Sequence, residues 1–262
     1  MRIEVNGQAA YCYTNSRDID ASKPSIVFIH GSGMDHIVWT LAARHFARHG
    51  NNVISVDLPG HGRSEGMPLS TVEEMATWTI GVLDTLQIDQ AALVGHSLGS
   101  LISLECAASH SARVRAIALV GTTAPMPVSD AILNAAESND HAAFDMLTQW
   151  GFSKRHQFGG NRNSGIWMIG NTLRLYEQSG PGVLFHDMRA CNDYTTGTEQ
   201  AAKINCPTLL ILGAEDRLTP VRSTRALQEA LPAPIVEVLP ETGHTIMVEA
   251  PNAMLDALHR VL

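Results

Sequence analysis

The segment Gly95-His96-Ser97-Leu98-Gly99 closes an apolar run through Ala92, Leu93 and Val94 and opens onto a helical pattern. A serine hydroxyl is a poor nucleophile until a neighbouring base takes its proton, and that base must be held in one tautomer by a carboxylate. In a G-x-S-x-G turn the serine sits at a sharp strand-to-helix bend, where a side chain at either glycine would collide with the neighbouring backbone. The N–H of Leu98 then lies at the N-terminus of the following helix, suited to an oxygen that becomes negative during acyl transfer. Two partners fit by position. Asp216 follows an apolar run in Gly213-Ala214-Glu215-Asp216-Arg217-Leu218-Thr219-Pro220, and His244 follows the last such run in Glu241-Thr242-Gly243-His244. Glu215 is the nearest competing acid, but adjacent side chains point differently and only one of the two can face the histidine. A second oxyanion donor is expected from the Ser32 backbone N–H in His30-Gly31-Ser32-Gly33, where the flanking glycines let it approach a substrate oxygen. His30, His61 and His96 are expected to pack or brace, with Asp35 and His36 flanking the entrance.

These groups need a scaffold whose strands end on one edge, where an open α/β sheet places its ligand crevice. Residues 2–5 and 10–14 read as strands around the hairpin signal Asn6-Gly7. Ser25-Ile26-Val27-Phe28-Ile29 and Asn52-Val53-Ile54-Ser55-Val56 suit strands buried on both faces, with a helix expected over 37–49 between them. Apolar spacing predicts a helix over 71–87 with Ser70 as its N-cap. The strand before Ser97, its helix and the strand Ala116–Val120 follow. From 123 to 196 no β-branched core run occurs, and helices are expected near 129–150, 164–179 and 181–191. Strands resume at Thr208–Gly213 and Ile235–Leu239, with helices near 220–231 and 249–262. The alternation indicates an α/β fold with crossover helices. The expected organisation is a core of 1–122 and 197–262 carrying a helical cap at 123–196.

That cap is rich in Met126, Phe144, Met146, Trp150, Phe158, Trp167, Met168 and Phe185. Of these, Phe144, Met146, Trp150 and Trp167 are the candidate walls of an apolar substrate pocket, methionine adapting to irregular shapes.

At 262 residues the chain can bury one large α/β core. A formal charge of -8, with 18 scattered Lys and Arg, leaves no basic patch for nucleic acid. Cys12, Cys106, Cys191 and Cys206 are far apart with no C-x-x-C pair, which writes neither a zinc ribbon nor a redox motif. No apolar run approaches the roughly eighteen residues of a membrane span. Without a signal-like N-terminus, a cytoplasmic protein is expected.

Taken together, His30-Gly31-Ser32-Gly33, Asp57-Leu58-Pro59-Gly60-His61-Gly62-Arg63-Ser64, Gly95-His96-Ser97-Leu98-Gly99, Gly213-Ala214-Glu215-Asp216 and Gly243-His244 resemble the α/β-hydrolase superfamily over essentially the whole chain. The layout is similar to the small bacterial esterases and carbon-carbon bond hydrolases with a helical cap between sheet strands six and seven. The resemblance implies a mostly parallel eight-stranded sheet, a Ser97–Asp216–His244 triad, no metal and no organic cofactor. Serine at position 97 separates the chain from members with an aspartate nucleophile. Thr245 stands where the meta-cleavage-product hydrolases often carry tryptophan. The implied activity is hydrolysis of a small to medium apolar carboxylic ester, with carbon-carbon bond hydrolysis or lactone opening as alternatives. Use of the fold as a ligand receptor usually comes with a degraded triad, and this one is intact.

Overall fold

The computed structural model describes residues 1–160 and 166–262. Its strands are β1 (Arg2–Val5), β2 (Gln8–Tyr13), β3 (Ser25–Ile29), β4 (Asn52–Val56), β5 (Ala91–His96), β6 (Val114–Val120), β7 (Thr208–Gly213) and β8 (Ile235–Leu239). They form one 8-stranded sheet in the order β1-β2-β4-β3-β5-β6-β7-β8. The β1–β2 and β2–β4 pairs are antiparallel, and every later pair is parallel. Asn6 and Gly7 both take positive φ, at 52° and 77°, as a two-residue hairpin turn requires.

The helices among the described residues are α1 (Thr40–Arg48), α2 (Val72–Thr85), α3 (Leu98–Ser109), α4 (Asp130–Glu137), α5 (Ala142–Gly151), α6 (Lys154–Gln157), α7 (Met168–Gln178), α8 (Val183–Asp193), α9 (Gly197–Ala201), α10 (Arg225–Ala230), α11 (Ile246–Glu249) and α12 (Pro251–Leu258). Side chains alternate across each strand, so the central strands feed two cores. Ile26 and Phe28 of β3 join Val94 of β5 and Ile211 of β7 under α1 and α12. Val27, Ile29, Leu93 and Leu210 face the opposite way, against α2 and α3. A third apolar cluster, with Ile132, Leu147, Tyr176 and Leu184, belongs to the helices between β6 and β7 and closes on Met34. Farther along α8, Ala190 and Cys191 already pack into the core under the sheet, ahead of residue 197.

Several expected boundaries shift for local reasons. The N-cap of α2 is Thr71, not Ser70: its hydroxyl accepts from the Glu74 N–H, and the Glu74 carboxylate accepts from the Ser70 N–H. The helix expected over 129–150 is two, broken where Asn139 turns to φ 53° and its side-chain oxygen accepts from the Gly182 N–H. Asparagine tolerates that left-handed conformation better than most residues. The stretch 249–262 divides at Ala250, which precedes Pro251 and is thereby pushed out of helical geometry. The first two positions of the helix expected over 164–179 lie outside the described residues, and its described part is α7. No helix among the described residues is long and apolar enough to cross a membrane.

A close backbone approach lies where β5 hands over to α3. A Cβ at Gly95 would overlap the carbonyl of Gly99, and one at Gly99 would overlap the carbonyl of Ile29 at the end of β3. Neither obstruction is a flexible side chain that could yield. Gly99→Ala should therefore lower unfolding stability by about 1–3 kcal/mol or more, the range for forcing atoms into a packed interior. Urea denaturation reads this directly, and an unchanged midpoint would contradict so close a crossing.

Candidate active site

Between β5 and α3, Ser97 stands alone in the bend with φ 51° and ψ -116°. A non-glycine residue in that region carries strain of about 1–3 kcal/mol and persists only where its surroundings over-determine it. Here the Ser97 N–H is fixed to the Val120 carbonyl at 2.9 Å, and the crossing at Gly95 and Gly99 leaves no alternative path. The hydroxyl is thereby presented to a cavity of about 200 Å³, whose wall also contains Ser32, His96, Thr219 and His244.

The turn after β7 places Asp216 in a ring of donors. One carboxylate oxygen accepts from the Leu218 and Thr219 N–H groups, both at 2.8 Å. The other accepts from the Thr219 hydroxyl at 2.7 Å and meets His244 Nδ1 at 2.8 Å. Burial on its own would raise the carboxyl, but the adjacent His244 and the Thr219 donors outweigh it and hold Asp216 below its ordinary value. An ionised carboxylate can only accept, so His244 Nδ1 must carry a proton and Nε2 is left as the basic nitrogen. The His244 N–H donates to the Gly151 carbonyl at 2.6 Å, and the neighbouring Gly243 N–H donates to the buried Glu249 carboxylate at 3.1 Å. Among the described residues Ser97 Oγ makes no hydrogen bond to the His244 ring, although both line the cavity.

The other expected positions fall around this pair. Glu215 turns away, accepting from the Lys154 N–H at 3.0 Å. The loop after β3 runs beside the serine so closely that a Cβ on Gly31 would lie 3.2 Å from Ser97 Cβ. Among the described residues neither the Ser32 nor the Leu98 N–H donates to a protein acceptor, which leaves two backbone donors free beside the hydroxyl. His30 is a brace: Nε2 accepts from the Leu58 N–H at 3.1 Å and Nδ1 donates to the Gly31 carbonyl, while burial pushes its pKa down to about 4. His96 is likewise held neutral by burial, near 3, and donates Nε2–H to the His244 carbonyl at 3.1 Å. Cys191 also borders the cavity, but burial raises its thiol to about 12, which removes it as a nucleophile.

Of the four candidate wall residues, Trp150 lines the cavity. Phe144 instead stacks on Tyr176 at 5.8 Å, and Met146 packs into the cluster of the helices between β6 and β7. Trp167 is 67% exposed and lies over Gly170 of α7. The apolar wall is built from Met34, Met126, Ile132, Leu147, Met188 and Leu218. Met126 carries the signal of a methionine-rich cap; the others read as ordinary core positions in the sequence. Arg217, exposed at the rim, is the charged side chain on the described wall.

Asp35, His36 and Asp57 bring metal-ligand residue types within 4.8 Å of one another. Their carboxylates already accept hydrogen bonds from the loop. Asp57 accepts from the His36 N–H and ring at 2.7 and 2.8 Å and from the Arg63 N–H at 2.9 Å, and Asp35 accepts from the Ile37 N–H at 2.7 Å.

Residues 26–257 match the model of the alpha/beta hydrolase family. The chain is 28% identical over 234 residues to the pimeloyl-(acyl-carrier protein) methyl ester esterase of Chromobacterium violaceum, covering 84% of this chain and 87% of that protein. It is 29% identical over 261 residues to the 2-hydroxymuconate semialdehyde hydrolase of Pseudomonas sp. (strain CF600), covering 92% and 87%. The solved enol-lactonase from Burkholderia xenovorans LB400 shares the fold with a TM-score of 0.87 at 21% identity, covering 100% of this chain and 99% of that one. With a largely parallel sheet of matching course and a family model spanning nearly the whole chain, this protein belongs to the alpha/beta hydrolase family.

Proposed function

We propose that this protein is a serine hydrolase that cleaves small to medium apolar carboxylic esters through an acyl-enzyme. In this assignment Ser97 is the nucleophile, His244 the general base, Asp216 the residue that fixes its tautomer, and the Ser32 and Leu98 backbone N–H groups the oxyanion donors. Residues 123–196 act as a cap over the site. The observation that carries the proposal is the buried Asp216–His244 contact of 2.8 Å, which leaves Nε2 free on a cavity shared with the strained Ser97.

The chemistry follows from those roles. His244 Nε2 takes the Ser97 proton as Oγ attacks the ester carbonyl, and the carbonyl oxygen becomes an oxyanion between the two N–H groups. Collapse expels the alcohol, which takes the proton from the imidazolium. Water then attacks the acyl-serine, gives its proton to His244 and releases the acid, and Ser97 recovers its proton. Asp216 stays ionised throughout and stabilises the imidazolium. A wall of Met34, Met126, Ile132, Leu147 and Met188 around about 200 Å³ suits an apolar acyl or alcohol group of modest size.

A second assignment, carbon-carbon bond hydrolysis, draws support from the relative named a 2-hydroxymuconate semialdehyde hydrolase. Lactone opening would use the same acyl transfer with a tethered alcohol. Faster turnover of a vinylogous 1,5-diketone than of p-nitrophenyl butyrate would favour the carbon-carbon reaction.

Ser97→Ala should lower p-nitrophenyl butyrate turnover by about 10⁴-fold or more and abolish fluorophosphonate labelling. Retention of either by the folded variant would remove Ser97 from the chemistry. Asp216→Asn should lower kcat on the order of 10⁴-fold, because an amide no longer selects the Nδ1–H tautomer. The same substitution has a signature in stability. A carboxyl held below its ordinary 3.8 stabilises the fold above that pH, and the contribution is lost as pH falls through the lowered folded value. Thermal midpoints followed from neutral pH to below 3.8 should therefore drop less steeply in Asp216→Asn than in the native protein.

A further inference from the structure

Behind the Gly31–Gly33 loop lies a buried carboxylate that the mechanism above does not use. Asp187 projects from α8, in the inserted segment, and is wholly buried. Its Oδ2 accepts from the Gly33 N–H at 2.7 Å and meets His61 Nε2 at 2.9 Å, whereas Oδ1 is buried with no partner. The two core groups it joins come from different loops, one after β3 and one after β4.

His61 is constrained on both sides. Its Nδ1 lies 3.0 Å from the Pro59 carbonyl and its Nε2 faces the carboxylate, so both nitrogens meet oxygens that only accept. A ring in that position donates from both nitrogens and is an imidazolium. Burial would push its pKa down, but the charge of Asp187 and the hydrogen bond to it prevail and raise it above the ordinary value. The pair is thus close to neutral as a unit. That matters for its surroundings, because an uncompensated carboxylate one residue from Ser32 would repel a developing oxyanion.

The loop itself needs such an anchor. Gly33 turns through φ +65° and lies against Leu184 of α8 and Tyr176 of α7, so its path is set by the inserted helices as much as by the sheet. The Ser32 N–H belongs to the peptide immediately before, and its aim depends on how that short turn is held. A donor contributes to oxyanion stabilisation only when preorganised at the position the oxygen will occupy.

We propose that Asp187 is a positioning residue: by holding the Gly33 N–H and His61 together from α8, it fixes the Gly31–Gly33 loop so that the Ser32 N–H stays aimed at the substrate oxygen. The inserted segment therefore supplies part of the catalytic alignment as well as a wall of the cavity. This inference rests on the assignment of Ser97 and Ser32 made above.

The test compares the native protein with Asp187→Asn, which preserves volume and one acceptor, and with Asp187→Ala. Hydrogen exchange read by mass spectrometry over a peptide covering residues 30–36 should be faster in both variants, and this readout needs no catalysis. With p-nitrophenyl butyrate, kcat should fall by about 10- to 100-fold in Asp187→Ala, part of what loss of a whole oxyanion donor produces, while KM stays within about twofold. Affinity for a boronic acid, whose serine adduct places an oxygen between the two N–H groups, should fall by the same factor as kcat, and Asp187→Asn should lie between native and Ala. Unchanged exchange over 30–36, or a loss confined to KM or to thermal stability with boronic acid affinity intact, would overturn the proposal. Failure of a fluorophosphonate to label Ser97 in the native protein would instead bring down the hydrolase assignment, and the kinetic role of Asp187 with it. The exchange result distinguishes the two failures, because it reports the loop whatever the chemistry.

Discussion

The structure turns on a close backbone crossing, where the end of β5, the first turn of α3 and the end of β3 pass one another with no room for a side chain at Gly95 or Gly99. Because the chain has to reverse from strand to helix within that space, Ser97 is held at positive φ, and its side chain is forced outward from the bend. The cost of this conformation is carried by the sheet, since β5 pairs with β3 on one side and β6 on the other and is buried along its length. Strain of about 1–3 kcal/mol at Ser97 is small beside the burial of two apolar faces, so the fold tolerates it.

Around this fixed point the remaining polar groups are positioned by loops at the same edge of the sheet, and each loop is tied down by a buried group. Asp216 is saturated by four donors. The His244 backbone is fixed through Gly151 and His96, and the preceding Gly243 N–H donates to the Glu249 carboxylate, which also accepts from the Ser153 N–H at 2.9 Å. The loop carrying Ser32 is tied through His30 and Asp187. Two of these ties, Gly151 to His244 and Asp187 to Gly33, run from the helices between β6 and β7 to loops of the sheet. The segment between β6 and β7 is in this way hydrogen-bonded to the loops on both sides of the cavity, at the His244 N–H and at the Gly33 N–H.

Much of this was legible in the residues. Short, mostly apolar runs at Ser25–Ile29, Asn52–Val56 and Thr208–Gly213 mark strands buried on both faces, and those strands form at those positions. Helix interiors were equally plain, but their ends were not. Whether Ser70 or Thr71 caps α2 depends on which hydroxyl reaches Glu74, and the break at Asn139 depends on a contact with Gly182 far along the chain. The cavity wall was the least legible part. Phe144, Met146 and Trp150 lie on one helix within seven positions, yet only Trp150 borders the cavity, because facing is set by how α5 packs on α7 rather than by the residues themselves.

The sequence by itself determined the alternation of strands and helices, the glycine-bracketed bend at Ser97, and the location of Asp216 just beyond a buried strand and of His244 in the loop after the last strand. Each of these is dictated by local sterics or by hydrophobic periodicity, which act over a few residues. Only the tertiary structure decided which nitrogen of His244 carries the proton, which side chains form the cavity, and that Asp187 bonds to His61 across 126 positions of chain. Those features depend on the distance and dielectric surroundings of groups remote in sequence, and a carboxylate whose partners lie on another element leaves no pattern among its own neighbours.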